Sequence, residues 1–254
     1  MLDSNRLTML TSLVLSNITL LMINDTSIFD YDCDDIHKSG HTLSGIYGLV
    51  QNLSYVNHAF LIVCQMETYK GGAGWTVIQR KTDNSINFNR SWIEYSVGFG
   101  NLENSFWLGN ELLYQKTYRN KYEVYIELID TRNRTKYARF ENFKVSDVSK
   151  KYKLTVEHQT GTLGIALKEH DGMMFSTYDQ DNDLSTLENC AVTNECGWWF
   201  NNCVAANLNG LLNSLIQILI VMKTNLQIYT FNSLPKCRWV IMAWLGLTAL
   251  VTKN

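Results

Sequence analysis

The sequence predicts an α+β domain: an antiparallel sheet with short helices, followed by a loop-rich region. Three observations carry this reading. Short runs rich in β-branched and aromatic residues recur from Gly74 to Val156, several of them alternating apolar with polar, which is the repeat of a strand with one buried face. The links between these runs are short and polar, the composition of tight turns. After Gly161 the alternation fades into Asn-, Asp- and Gly-rich sequence, so that stretch needs bridges or a metal to become ordered.

Taken in order, Leu7 to Ile23 is mostly apolar behind Arg6, but Thr, Ser and Asn interrupt it. A membrane span needs about 20 clean apolar residues, so this stretch suits a weak signal peptide better, and residues 1–27 are read as a signal segment. Gly71 to Gly74 precedes a strand and is therefore a turn; a phosphate cradle would carry its glycines from a strand into a helix. Trp75 to Gln79 is the first clear strand. Arg90 to Tyr95 reads as helix, as does part of Asn101 to Leu113, weakened by Gly109. Tyr122, Val124, Ile126 and Leu128 alternate onto one strand face. Asp130 to Arg134 suits a hairpin turn, with Tyr137 to Phe140 and Tyr152 to Val156 as the strands that follow. Leu215 to Met222 and Trp239 to Val251 are too short to span a bilayer and read as buried core.

Composition excludes whole classes of function. The formal net charge is -2, so no excess of Lys and Arg awaits nucleic acid or an anionic membrane. With 46% hydrophobic residues the chain has enough apolar content for a core, which excludes wholesale disorder. A single proline, Pro235, rules out a collagenous stalk or Pro-rich linker. Six cysteines are enough for a stapled secreted domain. Asn17, Asn24, Asn52, Asn89 and Asn133 all head Asn-x-Ser/Thr sequons, which agrees with secretion.

The sharpest local signal is Asp179-Gln-Asp181-Asn-Asp183. Carboxylates two apart in a turn can converge on one hard cation such as Ca²⁺. An EF-hand would require Gly at Leu184 and Glu at Cys190, so that loop type is excluded. Cys190 and Cys203 flank Trp198-Trp199, and no C-x-x-C is present, which argues against a zinc ribbon. Cys196 and Cys237 could pair with each other, bridge to another chain or stay free. His37 and His41 would share a helical face, but Gly40 and Gly45 argue for a loop there. No nucleophile elbow and no P-loop occur, and no acid–base pair stands out, so an enzyme is not expected.

An ordered series of motifs resembles one family. Gly74-Trp-Thr-Val-Ile-Gln-Arg80, Phe88-Asn-Arg-Ser-Trp92, Gly98-Phe-Gly-Asn-Leu102 and Phe106-Trp-Leu-Gly-Asn110 come first. Phe175-Ser-Thr177, Asp181-Asn-Asp183, Asn189-Cys-Ala191, Gly197-Trp-Trp199 and Asn207-Leu-Asn-Gly210 complete it. From Cys33 to Leu211 the chain is similar to the fibrinogen C-terminal domain, the fibrinogen-related domain of ficolins, tenascins, angiopoietins and invertebrate lectins. The resemblance implies Cys33–Cys64 and Cys190–Cys203 bridges. It implies Ca²⁺ on the carboxylates of Asp181 and Asp183, with carbonyl oxygens of Ser185 and Leu187 completing the site. It implies a ligand pocket at Asn194, Asn202, Cys203 and Val204, with a cis Asn202-Cys203 peptide, recognising glycans or acetylated groups.

The sequence departs from the family pattern at Val204, where many members have His; at Asn194, where acetyl-binding lectins often have Tyr; and at Phe200, where Tyr is usual. The stretch after Leu211 lacks the expected aromatic wall and closing strand, so 212–254 is read as a divergent apolar tail. The expected function is therefore a secreted, non-catalytic recognition domain binding glycans or acetylated surface groups with calcium. The alternatives are an extracellular protein-binding module, or a truncated member without function. Nucleic acid and a stable membrane span are not expected, and a disulfide-linked oligomer would run through Cys196 or Cys237.

Overall fold

A computed structural model describes residues 18–23, 31–53, 56–67, 72–212 and 216–224. In chain order the elements are β1 (Ile18–Ile23), α1 (Cys33–Lys38), β2 (Gly45–Leu53), β3 (Val56–Gln65), β4 (Trp75–Lys81), α2 (Trp92–Val97), β5 (Phe99–Gly100), β6 (Phe106–Trp107), α3 (Asn110–Arg119), β7 (Tyr122–Asp130), β8 (Thr135–Val145), β9 (Leu154–Gly161), α4 (Cys190–Thr193) and β10 (Ile216–Thr224). The strands form one sheet in the order β1-β2-β3-β4-β10-β7-β8-β9, with β6 beside β4 and β5 beside β6. The α+β reading holds, with one correction: β1 runs parallel to β2, so the sheet is mixed.

Two further observations concern the ends of the domain. Residues 18–23, read as part of a signal segment, lie in the sheet, with Ile18 opposite Ile46 and Leu21 opposite Leu49. The reason is apolar cover, because Leu21 is buried with Tyr47, Leu49 and Ile62 in a small second core. At the other end, the domain does not stop at Leu211. β10 inserts between β4 and β7, pairing Ile220 with Gln79 and Ile126. Its Ile218, Ile220, Val221 and Met222 are all buried, and each such side chain contributes about 1.5–3 kcal/mol. A strand covered on both faces loses the period-two signal and reads only as an apolar run, which hides its role in the sequence. The expected absence of a closing strand is thereby overturned. Trp239 to Val251 and Cys237 lie outside the described residues.

The same two-sided burial corrects the reading of β7. Tyr122, Val124 and Ile126 are buried as expected, but so are Glu123, Tyr125 and Glu127 on the other face. The helices also sit differently from their sequence signals. Ser91 and Glu94 form a reciprocal capping box that starts α2. Helix α3 begins only at Asn110, because Gly109 adopts φ 113° as its N-cap, and a Cβ there would lie 2.9 Å from the Val97 carbonyl carbon. Only glycine fits that approach, so Asn101 to Leu108 is turn and strand instead of helix. Tyr152 has φ 49° and precedes β9, which starts two residues later than the sequence suggests.

The main core lies between the sheet and the loop-rich region after Gly161. Tyr95, Phe175 and Trp199 meet there, with Phe175 5.0 Å from Tyr95 and 5.1 Å from Trp199 between ring centroids. Such contacts add about 0.5–1.5 kcal/mol per pair beyond area burial. Through them the rigid sheet positions the site.

Candidate functional site

The loop-rich region carries few regular elements, and side-chain hydrogen bonds hold much of it together. Asp179 Oδ1 accepts from the Trp92 N–H at 2.9 Å and from the Thr177 hydroxyl at 2.7 Å, tying the loop to the start of α2. Asn182 Nδ2 donates to the Phe175 carbonyl at 2.7 Å. Asn189 caps α4 by accepting from the N–H groups of Ala191 and Val192. Cys190 and Cys203 are bridged with Cα atoms 5.3 Å apart, and Cys33 and Cys64 with Cα atoms 5.4 Å apart.

Asp181 and Asp183 come together. Asp183 Oδ1 accepts from the Ser185 N–H and Oδ2 from the Cys190 N–H, each at 2.8 Å, while Asp181 Oδ1 accepts from the Asp183 N–H at 3.2 Å. Burial, and then the neighbouring Asp181, outweigh the two backbone donors and push the Asp183 carboxyl above the usual carboxylate range. Two carboxylates held this close repel unless a proton or cation lies between them. The loop carbonyls of Ser185 and Leu187 accept no hydrogen bond among the described residues. All four donors are oxygens, the chemistry a hard cation takes. Among the described residues no three His, Cys, Asp or Glu side chains group together, so backbone oxygens would have to supply the remaining positions.

The predicted ligand positions sit on either side of the bridge. Asn194 ends α4 and donates from Nδ2 to the Cys190 carbonyl at 2.8 Å. The Asn202-Cys203 peptide is cis, and Asn201 N–H donates to the Cys203 carbonyl at 3.2 Å. Val204 is 47% exposed and Leu187 95% exposed. Leu184 and Val192 are exposed too, beside exposed Glu188, Thr193 and Asn202, so the surface around the bridge mixes apolar and polar groups. The cleft of about 590 Å³ along β9 is lined by Glu157, His158, Thr160 and Lys168 among others, away from these residues.

Cys196 requires a correction. Its thiol is buried, 1% exposed, and donates to Asn207 Oδ1 at 3.2 Å. Burial pushes its pKa up to about 12, so it is an inert structural thiol. No second chain can reach it without local unfolding, which removes it as an intermolecular bridge.

Sequence reasoning missed the residues that hold this surface in place. Lys81 is buried and donates to the carbonyls of Asn209 at 3.0 Å and Gly210 at 2.6 Å, and its Nζ sits 4.4 Å from the centre of the Phe88 ring. Gln79 Nε2 donates to the Leu208 carbonyl at 2.8 Å. Thus β4 grips the Asn207-Leu-Asn-Gly210 turn. His170, wholly buried, pairs Nδ1 with the Trp199 carbonyl at 2.7 Å and takes the Ala206 N–H on Nε2 at 3.0 Å. Gly197 packs so tightly that a Cβ would lie 2.5 Å from the Tyr95 ring, which explains the glycine before the Trp pair. These partners are far apart in sequence, so no local pattern reveals them.

A mixed sheet bearing a bridged, loop-built surface defines the class of fold, one whose family members are non-catalytic binding modules. The family described as "Fibrinogen beta and gamma chains, C-terminal globular domain" matches residues 29–218, and the chain belongs to it. It is 40% identical to human fibrinogen-like protein 1 over 197 residues, covering 72% of this chain and 61% of that protein. It is 40% identical to human angiopoietin-2 over 181 residues, covering 71% of this chain and 36% of that protein. The solved fibrinogen-like globe domain of human ANGPTL2 superposes with a TM-score of 0.69 at 31% identity, covering 76% of this chain and 98% of that domain. The chain thus spans less than two thirds of the length of these two curated relatives. Relatives of this family are secreted or extracellular-matrix proteins.

Proposed function

We propose that this domain is an extracellular module that binds a protein partner through the surface around the Cys190–Cys203 bridge. One observation carries the reading: Leu184, Leu187, Val192 and Val204 are all exposed on the segments that this bridge joins. Exposed large apolar side chains interleaved with polar ones suit a protein interface, whose compositional signal is aromatic and apolar anchors within a polar rim. Kinship with secreted and matrix proteins supports the extracellular setting. Among the described residues no helix is long and apolar enough to cross a membrane.

Calcium is the proposed cofactor, on the carboxylates of Asp181 and Asp183 with carbonyl oxygens of Ser185 and Leu187. Bound there, it would supply the positive charge that lets both carboxylates ionise together. It would also order a loop with little core of its own. Calcium-dependent recognition of glycans or acetylated groups at Asn194, Asn202, Cys203 and Val204 is the second reading. It is supported by the bridge that brings α4, which Asn194 ends, beside Cys203.

The test is binding of the labelled domain to intact cell surfaces in calcium. The protein-binding reading expects loss after protease treatment of the cells and in Leu187→Asp plus Val204→Asp, with no effect of free N-acetylglucosamine. Binding that survives protease but is competed by that sugar would establish the second reading instead. For the metal, Asp181→Ala plus Asp183→Ala should abolish a calcium-dependent rise in Tm. An unchanged rise would place the ion elsewhere.

A further inference from the structure

We infer that Asn133 is an attachment site for an N-linked glycan. Asn133-Arg134-Thr135 is a complete acceptor sequon, and the fold places it at the tip of the β7–β8 hairpin. Residues 131–136 are all exposed. Asn133 has φ 58°, the left-handed conformation that asparagine tolerates in tight turns, and its N–H donates to the Asp130 carbonyl at 2.9 Å.

The turn is held by a different residue. Asp130 Oδ1 accepts from the N–H groups of Arg132 at 2.9 Å and Arg134 at 2.8 Å, and its Oδ2 takes the Arg134 guanidinium at 2.7 Å. The carboxamide of Asn133 has no part in this network, so substituting it leaves the turn's hydrogen bonds in place. Glycan transfer precedes folding, so the folded domain must accommodate the sugar, and a bulky polar chain belongs on such a tip. At Asn89 the surroundings are tighter. The Ser91 hydroxyl of that sequon is bonded to Glu94, and Trp92, three residues on, holds Asp179 of the candidate site.

In the transfer, Asn133 Nδ2 bonds to C1 of an oligosaccharide carried on a lipid diphosphate. The C1–oxygen bond to phosphate breaks, the lipid diphosphate leaves with the bonding pair, and Nδ2 loses one proton. No oxidation occurs. The inference rests on the extracellular reading, since only chains entering the secretory route meet this donor.

The experiment expresses the full chain in mammalian cells in two forms, one with its own N-terminus and one behind a cleavable signal peptide from a secreted protein. Glycans are removed enzymatically in heavy-oxygen water, and the peptide holding residue 133 is analysed by mass. The expected result is a labelled aspartate at position 133, with Asn133→Asp, which tolerates the same left-handed turn, losing one glycan's mass and still melting cooperatively. Failure of both forms to reach the medium would count against the extracellular reading. An unlabelled Asn133 in the signal-directed form would overturn this proposal.

Discussion

Lys223 Nζ lies 3.1 Å from Asp34 Oδ1, binding the end of β10 to the first helix. Thr224 adds a hydroxyl at 3.1 Å from Asp34 Oδ2, and Lys38 reaches the same oxygen from within α1 at 2.5 Å. Burial alone would raise the Asp34 pKa, but Lys38 and Lys223 together override it and hold the carboxyl below the usual range. The C-terminal strand is therefore closed onto the N-terminal part of the domain by both charge and packing.

Replacing Lys223 with Met should destabilise the domain by about 1–3 kcal/mol, since it leaves a mostly buried carboxylate with one cation fewer. The sign of the pH effect follows from the lowered pKa. The pair's contribution is fully present above the unfolded carboxylate value and fades as the pH falls through the lower folded value. Melting curves of wild type and Lys223→Met should therefore converge in strong acid. A constant gap at all pH values would show that packing by the lysine stem, and not charge, is what is lost.

Asp35 behaves in the opposite sense. Burial, and then the neighbouring Asp32, raise its pKa from 3.8 to about 6, although it accepts from the Asp32 N–H in the capping box. The folded state thus prefers the protonated acid. That contribution is full below about 3.8 and lost as the pH rises through about 6. Asp35→Asn, which keeps an acceptor, should match wild type near pH 4 and exceed it in Tm at pH 7. Each tenfold change in proton affinity is about 1.4 kcal/mol.

His170 makes the loop sensitive to mild acid. Burial pulls its pKa below the usual 6.5, against the raising effect of its bond to the Trp199 carbonyl. Protonating Nε2 would remove the acceptor for the Ala206 N–H. Stability from this residue is present above about 6.5 and falls as the pH drops toward the lower folded value. Hydrogen exchange at Ala206 should accelerate between neutrality and pH 5 before the sheet amides do. His170→Ala should cost about 1–3 kcal/mol, and simultaneous exchange of loop and sheet would contradict the local effect.

A small apolar void of about 30 Å³ lies between the sheet and the Trp pair, lined by Val124, Val156, Ile220, Trp198 and Trp199 among others. Its cost at about 24 cal/mol per Å³ is about 0.7 kcal/mol. Val156→Ile adds one methyl group toward it and should raise Tm by a few degrees. A fall in Tm would mean that the void cannot take the added carbon without strain.

Legibility in the sequence followed the range of the interactions. β4, β7 and β8 were readable because strand alternation and polar turns are local properties. Asp181 and Asp183 were readable as a pair because both carboxylates sit in one short turn. β10 was not readable as a sheet strand, because burial on both faces erased its alternation. Lys81 adjoins the Trp75–Gln79 run in sequence, yet it is buried on the carbonyls of Asn209 and Gly210, a contact that exists only after folding. Cys196 looked available for bridging until its burial was known.

By itself the sequence determined the family, the α+β class, the acidic turn and the motifs on either side of the Trp pair. All of these are written in neighbouring residues, where spacing and side-chain chemistry act directly. The tertiary structure decided where the last strand lies, which face of each strand is covered, which thiol is sealed, and which distant side chains brace the loop region. Those outcomes depend on contacts between residues separated by most of the chain, and only packing brings such residues within reach of one another.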